Sequence, residues 1–244
     1  MNVQAQRIYA SMQQSNGNIS GAANALTSDP LTYATLTSVL FGSATQNLQF
    51  SSTNKPTGTT PIILRITTST GSVLGTGLLS NLEVAKTSGG INTTVGTIYT
   101  NNTLAAILGL GSGVAGEMMI PPENANFDGV RAYFYGLANS IRIYYAFYIK
   151  SPAANHLVTC SGQSASLLIT NFQSGYTYKL YEGNTEVATS TTANMPLPVI
   201  TTTTTVVKNY SLEAIEASIY PSGRTAVQVT IRPNPSVPNS ATLN

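Results

Sequence analysis

The side chains that could do acid–base or nucleophilic chemistry are few in this chain and lie far apart. A Ser-His-Asp arrangement would need the single histidine, His156, to meet Asp29 or Asp128, both distant from it in sequence. Two carboxylate pairs lie closer together: Glu117 with Glu123, and Glu213 with Glu216. Neither spacing defines glycosidase geometry, and both pairs are typical of solvated carboxylates. The sequence therefore predicts a protein that is not an enzyme and needs no cofactor.

A glycine motif is the second feature that could carry chemistry. Gly111, Gly113 and Gly116 match the G-x-G-x-x-G pattern of dinucleotide-binding turns. That site needs the third glycine inside an opening helix of a βαβ unit, whereas Pro121-Pro122 follows within a few residues. The motif therefore predicts a flexible loop.

An aromatic and basic sheet face is the best candidate for binding. Alternation predicts that five residues of one strand belong in the core: Ile141, Ile143, Tyr145, Phe147 and Ile149. If Val130 to Tyr135 pairs with this strand across the loop 136–140, the opposite face gathers six side chains. The predicted ligand-binding residues are Arg131, Tyr133, Tyr135, Arg142, Tyr144 and Tyr148. Tyrosines offer flat apolar rings with polar tips, so a glycan or a protein partner fits, and so does a second buried face.

The composition identifies the elements that must position these residues. Thr, Ser, Asn, Gly and aliphatic side chains dominate, which favours short strands joined by polar turns. Strands are predicted within five runs: Ile62 to Thr67, Leu78 to Lys86, Asn92 to Tyr99, Val130 to Tyr135 and Ser140 to Ile149. Short helical turns are predicted near Leu31 to Val39 and Asn102 to Leu108. We expect an all-β protein built of β-sandwiches.

Turn-prone residues after Lys150 predict a domain boundary. The expected division is a first sandwich over 1–150, a second over 151–235 and a proline-containing linker over 236–244 that leads to a further module. A cut near Ser151 should then yield two separately folding pieces.

Charge and cysteine content restrict the partners. A formal net charge of +2 from dispersed basic residues predicts no nucleic-acid partner. No long apolar stretch or signal peptide occurs, so membrane insertion is not expected, and the low charge favours an excised extracellular fragment. The lone Cys160 is expected to be a small apolar residue near a strand.

Motifs in the second half resemble the immunoglobulin-like repeats of modular surface adhesins of Bacteroidota, which include gliding adhesins and other type 9 secretion substrates. The matching residues are Val158-Thr-Cys-Ser-Gly, then Tyr178, Leu180 and Tyr181, and finally Arg224, Thr225, Val227, Val229 and Ile231. Leu180 stands where that family usually has tryptophan. The family also often has a cysteine at the position of Tyr220-Pro221-Ser222, which would pair with the residue matching Cys160. The resemblance therefore implies that this disulfide is absent here.

The first half resembles jelly-roll modules of the discoidin or galactose-binding type, through Asn24 to Leu36 and Phe127-Asp-Gly-Val-Arg. In some of those relatives the opening turn holds calcium. Calcium prefers several oxygen ligands that include carboxylates, and only Asp29 is acidic in that segment, so no metal is expected, with a structural calcium near Asp29 as the alternative.

These observations predict a jelly-roll-like sandwich followed by an immunoglobulin-like sandwich, in a cell-surface adhesin or filament. Its expected partners are neighbouring modules and surface polysaccharide. The alternative is a carbohydrate-binding module that uses the tyrosine-rich face or the end loops of the first domain.

Overall fold

The computed structural model describes residues 7–108, 114–136 and 138–235, and it is all-β with a few short helices. The chain divides into two compact units. The first runs to Ser151 and also contains Ala214–Gly223. The second runs from Pro152 to Glu213 and resumes at Arg224. The segment 214–223 was expected in the second sandwich, whereas it belongs to the first unit. Independent folding of the two parts stays a prediction, and the expected linker 236–244 lies outside the described residues.

The first unit contains the strands β1 (Arg7–Tyr9), β2 (Met12–Gly17), β3 (Ile19–Ser20), β4 (Ala34–Ser38), β5 (Ser43–Gln49), β6 (Ile62–Thr68), β7 (Leu82–Thr87), β8 (Thr94–Thr100), β9 (Glu117–Ile120), β10 (Gly129–Tyr135) and β11 (Asn139–Ile149). It also contains a 3-10 turn (Ala22–Leu26) and the helices α1 (Thr76–Leu79) and α2 (Asn101–Leu108). Sheet I has the order β3-β4-β11-β6-β9, with β1 also on β11, and sheet II has the order β2-β5-β10-β7-β8.

The core of the first unit lies between sheets I and II, because alternate residues of their strands are apolar. Sheet I contributes Leu36, Leu64, Ile66, Ile141 and Ile143, among others. Sheet II contributes Leu48, Leu82, Val84, Val130 and Phe134. Helix α2 covers one edge of this core with Leu104 and Ile107. The two antiparallel sheets form the β-sandwich expected from the sequence.

A bulge in β11 changes which residues face the core. The register of β11 against β6 shifts between Ile143 and Tyr145, so the side chains beyond the shift exchange faces. Ala146 and Tyr148 then join the core, whereas alternation predicted that they face away from it. Tyr145 and Phe147 are buried on the outer face of sheet I instead of in the central core.

The second unit contains β12 (Leu157–Cys160), β13 (Ser166–Leu168), β14 (Tyr176–Glu182), β15 (Thr185–Ser190), β16 (Asn194–Pro196), most of β17 (Val206–Glu216) and β19 (Thr225–Arg232). The short strand β18 (Tyr220–Pro221) lies in the segment assigned to the first unit. The larger sheet has the order β12-β19-β17-β14-β15, and β13 pairs with β16 in a second sheet. Strand β12 is parallel to β19. Two sheets of this kind match the immunoglobulin-like sandwich expected here.

The apolar motif residues of β14 and β19 occupy the core of the second unit. Val227, Val229 and Ile231 alternate inward along β19, and each is 2% exposed. Leu180, which stands where the resembling family has tryptophan, is fully buried on β14. Cys160 is a free thiol at the end of β12, and it is exposed.

Helical spacing predicted one of the two helical segments correctly. Helix α2 confirms the prediction for Asn102 to Leu108. The prediction for Leu31 to Val39 is wrong, because Ala34 to Ser38 form strand β4. Residues 34, 36 and 38 are buried in strict alternation, and β4 pairs with β11. The two-residue repeat of a strand therefore describes this segment better than the helical repeat does. No helix in the described part of the chain is long and apolar enough to cross a membrane.

Candidate functional site

The six predicted ligand-binding residues lie on two different sheets. The sequence prediction paired β10 with β11, but β10 lies between β5 and β7 in sheet II, while β11 lies between β4 and β6 in sheet I. The connection after Tyr135 therefore crosses from one sheet to the other instead of closing a hairpin. The predicted single ladder of six side chains is wrong, and its members fall into three groups.

The first group is the outer face of sheet II, which we call the tyrosine face: Arg131, Tyr133 and Tyr135 on β10. These three side chains are half-buried and alternate with core residues. The rings of Tyr133 and Tyr135 stack with centroids 5.3 Å apart. The Arg131 guanidinium lies 5.9 Å from the Tyr133 ring, and one of its nitrogens lies 3.8 Å from a Glu83 carboxylate oxygen. This arrangement places two stacked, half-buried tyrosine rings beside hydrogen-bonding groups.

The second group is the outer face of sheet I near Arg142 and Tyr144. The Arg142 guanidinium lies over the ring of Tyr33 at 4.2 Å. Tyr33 in turn contacts the ring of Tyr144, with centroids 5.4 Å apart. Arg65 also lies over the ring of Tyr144, at 4.3 Å, so cations and rings alternate along this face. Tyr144 is only 6% exposed, which makes it a packing residue more than an open platform.

Tyr148 forms the third group alone. It belongs to the core cluster, where its ring makes an edge contact with Phe50 at 5.0 Å. Its hydroxyl donates a hydrogen bond of 3.0 Å to the carbonyl oxygen of Asn54. Burial raises the pKa of Tyr148 to about 12. Only the hydroxyl end of this side chain approaches the loop that follows β5.

A buried carboxylate joins the outer face of sheet I to the segment 214–223 within the first unit. Glu117 is 2% exposed, so the expectation of a solvated side chain is wrong. It accepts hydrogen bonds from the hydroxyls of Tyr145 and Tyr220. Burial and the hydrogen bond to Glu117 raise the pKa of both tyrosines above the ordinary range. Beside them, Arg7 pairs with Glu216 at 2.8 Å. These contacts stabilise the fold, and they occupy two of the carboxylates that could have done acid–base chemistry, Glu117 and Glu216.

The remaining acid–base candidates also have local partners. Asp29 accepts a hydrogen bond from the backbone N–H of Leu31 at 2.9 Å. Asp128 accepts the backbone N–H of Gly89 through both of its oxygens. His156 accepts the backbone N–H of Gln228 at its Nδ1 atom. No cluster of three acidic, histidine or cysteine side chains that could hold a metal occurs in the part of the chain described here. The glycines Gly111 and Gly113 lie outside the described residues.

A basic pocket at one end of the first unit was missed by the sequence prediction. Its volume is about 210 Å³, and its lining comes from the loop between β5 and β6 and from the end of β11. The lining residues are Thr53, Asn54, Lys55, Thr57, Thr60, Tyr148, Lys150 and Ser151. Repeated Thr and Ser between Ser51 and Thr60 gave a weak signal for a polar loop. Nothing in the linear sequence indicates that Lys150 and Lys55 line one pocket, because only the sheet topology brings the two segments together.

A buried lysine lies behind this pocket. Lys86 is 1% exposed, and its Nζ atom donates hydrogen bonds to the carbonyl oxygens of Pro121 at 2.6 Å and of Thr60 at 3.4 Å. The ammonium also lies 4.3 Å from the centre of the Phe127 ring. Burial lowers the pKa of Lys86 to about 8, although the charge of Glu123 opposes the shift. Lys86 therefore places a third cationic group near the wall formed by Thr60.

Comparison with known proteins does not identify a family. No family model matches the sequence, and no curated protein matches it. Among solved structures, a chain described as a biofilm-associated protein, BSP domain, aligns with 96% of this chain at 8% identity and a TM-score of 0.24. The alignment covers 53% of that structure, so this chain spans about half its length. Similarity at this level carries no argument about function, which is therefore inferred from the residues themselves.

Proposed function

We propose that this chain is a non-catalytic structural and adhesive module of a large extracellular cell-surface protein. The observation that carries the proposal is how the scarce polar groups are used. Glu117 accepts hydrogen bonds from two tyrosine hydroxyls, Asp128 accepts one from a backbone N–H, and His156 accepts one from a different backbone N–H. Each of these groups therefore holds a strand or a loop in place within its own unit. Two β-sandwich units with low net charge agree with a spacing or adhesive role.

The family assignment within this proposal rests on sequence motifs alone. Residues that resemble adhesin repeats, such as Val227 and Val229, occupy core positions of the second unit. This supports placing the chain among modular surface adhesins. Membership of the Bacteroidota gliding-adhesin group, and export through type 9 secretion, belong to the same proposal.

Two assays test the adhesive and non-catalytic parts separately. Beads coated with the intact chain are passed over a panel of immobilised polysaccharides and over the chain itself, with and without calcium. We expect retention on at least one surface, and failure on every surface contradicts adhesion. The soluble chain is then incubated with the same polysaccharides. Release of any cleaved product contradicts the non-catalytic assignment.

A second candidate function is carbohydrate binding at the tyrosine face. The half-buried rings of Tyr133 and Tyr135 favour it, because sugar rings contact exposed aromatic surface that lies beside hydrogen-bonding groups. Replacing both tyrosines with alanine should abolish binding to a polysaccharide that retains the native chain. Tyr99→Phe is the matched control, since this tyrosine lies 8% exposed and its ring faces the core. Equal retention of the double variant excludes the tyrosine face as the binding site.

A further inference from the structure

The basic pocket at the end of the first unit combines cations with hydroxyl groups. Two of the five lysines of the chain line it, although only eleven basic residues occur in the whole sequence. None of its described lining residues is acidic. A pocket in which charge of one sign collects in this way attracts ligands of the opposite charge.

The two lysines of the pocket differ in how far their charge is already neutralised. The Lys55 ammonium lies 3.6 Å from a carboxylate oxygen of Asp128, and the Lys55 side chain is about half exposed. Lys150 is exposed, and no ion pair to it is found among the described residues. Asp128 thus offsets the charge of one of the two ammonium groups. Behind the wall, Lys86 adds part of a third positive charge close to the Thr60 carbonyl.

The hydroxyl groups of the pocket are held in place by one another. The Oγ1 atoms of Thr57 and Thr60 lie 2.8 Å apart, and the backbone N–H of Thr57 donates to Thr60 Oγ1. Tyr148 fixes the loop by donating to the carbonyl of Asn54. The pocket is therefore formed before a ligand arrives, which reduces the ordering that binding requires.

We propose that this pocket binds the acidic group of a sugar residue within an acidic polysaccharide. Ammonium groups pair with a carboxylate through charge-assisted hydrogen bonds, and threonine and serine hydroxyls can pair with the ring hydroxyls of a sugar. The volume of about 210 Å³ lies below the range of about 300–1,000 Å³ that is usual for drug-sized ligands. It accommodates one acidic sugar ring and leaves the rest of the polymer in solvent.

Calorimetric titration of the intact chain with a galacturonic acid trimer tests this proposal. The same trimer with its carboxylates methyl-esterified serves as the uncharged counterpart. We expect the acidic trimer to bind and the ester to bind at least about tenfold more weakly, the loss typical of one charge-assisted contact. Binding of the acidic trimer should also weaken as salt is added. Equal binding of both trimers, or no binding of either, overturns the proposal.

Variants locate the site on the protein. Lys150→Gln and Lys55→Gln should each weaken binding of the acidic trimer by about tenfold. Lys208→Gln removes one partly exposed lysine charge from the second unit and should leave binding unchanged. If Lys150→Gln binds like the native chain, the assignment of the pocket is wrong. If sodium sulfate competes with the trimer at equal concentration, the pocket does not recognise sugar.

This site is separate from the tyrosine face, so the two hypotheses fail independently. The alanine variant of Tyr133 and Tyr135 should keep full affinity for the acidic trimer. Loss of binding in that variant would move the acidic ligand to the tyrosine face and overturn the pocket assignment.

Discussion

At the scale of single residues, the most unusual group is the buried ammonium of Lys86. Its two hydrogen-bond acceptors are backbone carbonyls, and no carboxylate lies within ion-pair distance among the described residues. A buried cation without a close counter-charge destabilises the folded protein. The folded state therefore loses this proton at a lower pH than the unfolded state does. The free energy of unfolding should therefore depend on pH through this side chain between about pH 8 and pH 10.

Lys86 predicts that stability rises between about pH 8 and pH 10. Its pKa is about 8 in the folded protein and near 10.5 when unfolded, so in this range the unfolded chain binds more protons. The full rise corresponds to at most about 3 kcal/mol. Above pH 10 the trend reverses, because Tyr99 and Tyr148, whose folded pKa values are raised to about 12, lose their stabilising protonated forms.

Urea unfolding of Lys86→Met at pH 7, 8.5 and 10 checks this prediction. The variant should be more stable than the native chain at pH 7, and its free energy of unfolding should stay nearly flat up to pH 10. Lys179→Met, which changes a partly exposed lysine, should keep the native pH dependence. A variant at position 86 that still shows the native rise would rule out this lysine as its source.

Glu117 gives a second prediction at this scale. Glu117→Gln keeps the shape but replaces a charged acceptor for two tyrosine hydroxyls with a neutral one, so we expect a loss of about 1–3 kcal/mol in the free energy of unfolding. Glu186→Gln alters an exposed ion pair and should change stability by less than about 1 kcal/mol. Equal effects of the two variants would show that the buried contacts contribute no more than the exposed ones.

At the scale of elements, the segment 214–223 approaches its neighbours closely at Gly223. A β-carbon on Gly223 would lie 2.6 Å from the Oγ1 of Thr60, 2.9 Å from the Oγ of Ser151 and 3.0 Å from the Oγ1 of Thr57. Only a glycine lets the backbone come this close to three hydroxyl groups.

Gly223→Ala should therefore lower the free energy of unfolding by about 1–3 kcal/mol, because either the segment or the hydroxyl groups must move. Gly77→Ala is the matched control, since a β-carbon there would meet no atom within 4 Å. Thermal denaturation of both variants measures the difference. An unchanged midpoint for Gly223→Ala would mean that this close approach is not maintained in solution.

Strand β19 supplies another prediction. Val229→Asp places a charge at a position that is 2% exposed, so it should unfold the second unit. Gln228→Asp changes the neighbouring exposed residue and should be tolerated. Circular dichroism melts of the two variants distinguish them. A normal melt for Val229→Asp would place the register of β19 one residue away from that described.

The strands could be predicted from the sequence more easily than their partners. The apolar runs located β6 and β10 closely, and in β10 the reason is that residues of one face are buried while those of the other are half-buried. The pairing of β10 with β11 failed because a short connection cannot reveal whether the chain stays in one sheet or crosses to the facing one. The bulge near Tyr144 could not be predicted either. The apolar and aromatic run of β11 does not show which of its residues will be left without a partner on β6.

At the scale of the whole molecule, the compact units do not follow the chain order. Residues 214–223 lie with the first unit although sixty-two residues of the second unit, Pro152 to Glu213, come between. The candidate sites show the same dependence on the three-dimensional fold. The tyrosine face could be predicted because its three residues lie on one strand, whereas the basic pocket joins the loop after β5 to the end of β11.

The division predicts how a truncated chain behaves. A piece that ends at Ser151 lacks Tyr220 and Glu216, which contact Phe147 and Arg7 in the first unit. It should fold but melt at a lower temperature than the first unit within the intact chain, because aromatic surface on β11 becomes exposed. Differential scanning calorimetry of the piece and of the intact chain compares them. A piece that melts like the intact first unit would show that the segment 214–223 contributes nothing to its stability.

The position of the segment 214–223 also sets the order of events during synthesis. A ribosome adds about 5–20 residues per second, so several seconds separate the appearance of Ser151 from that of Gly223. Throughout that interval the nascent first unit lacks its last segment. The segment then joins a first unit that has already folded without it, so its arrival is the last step that completes that unit.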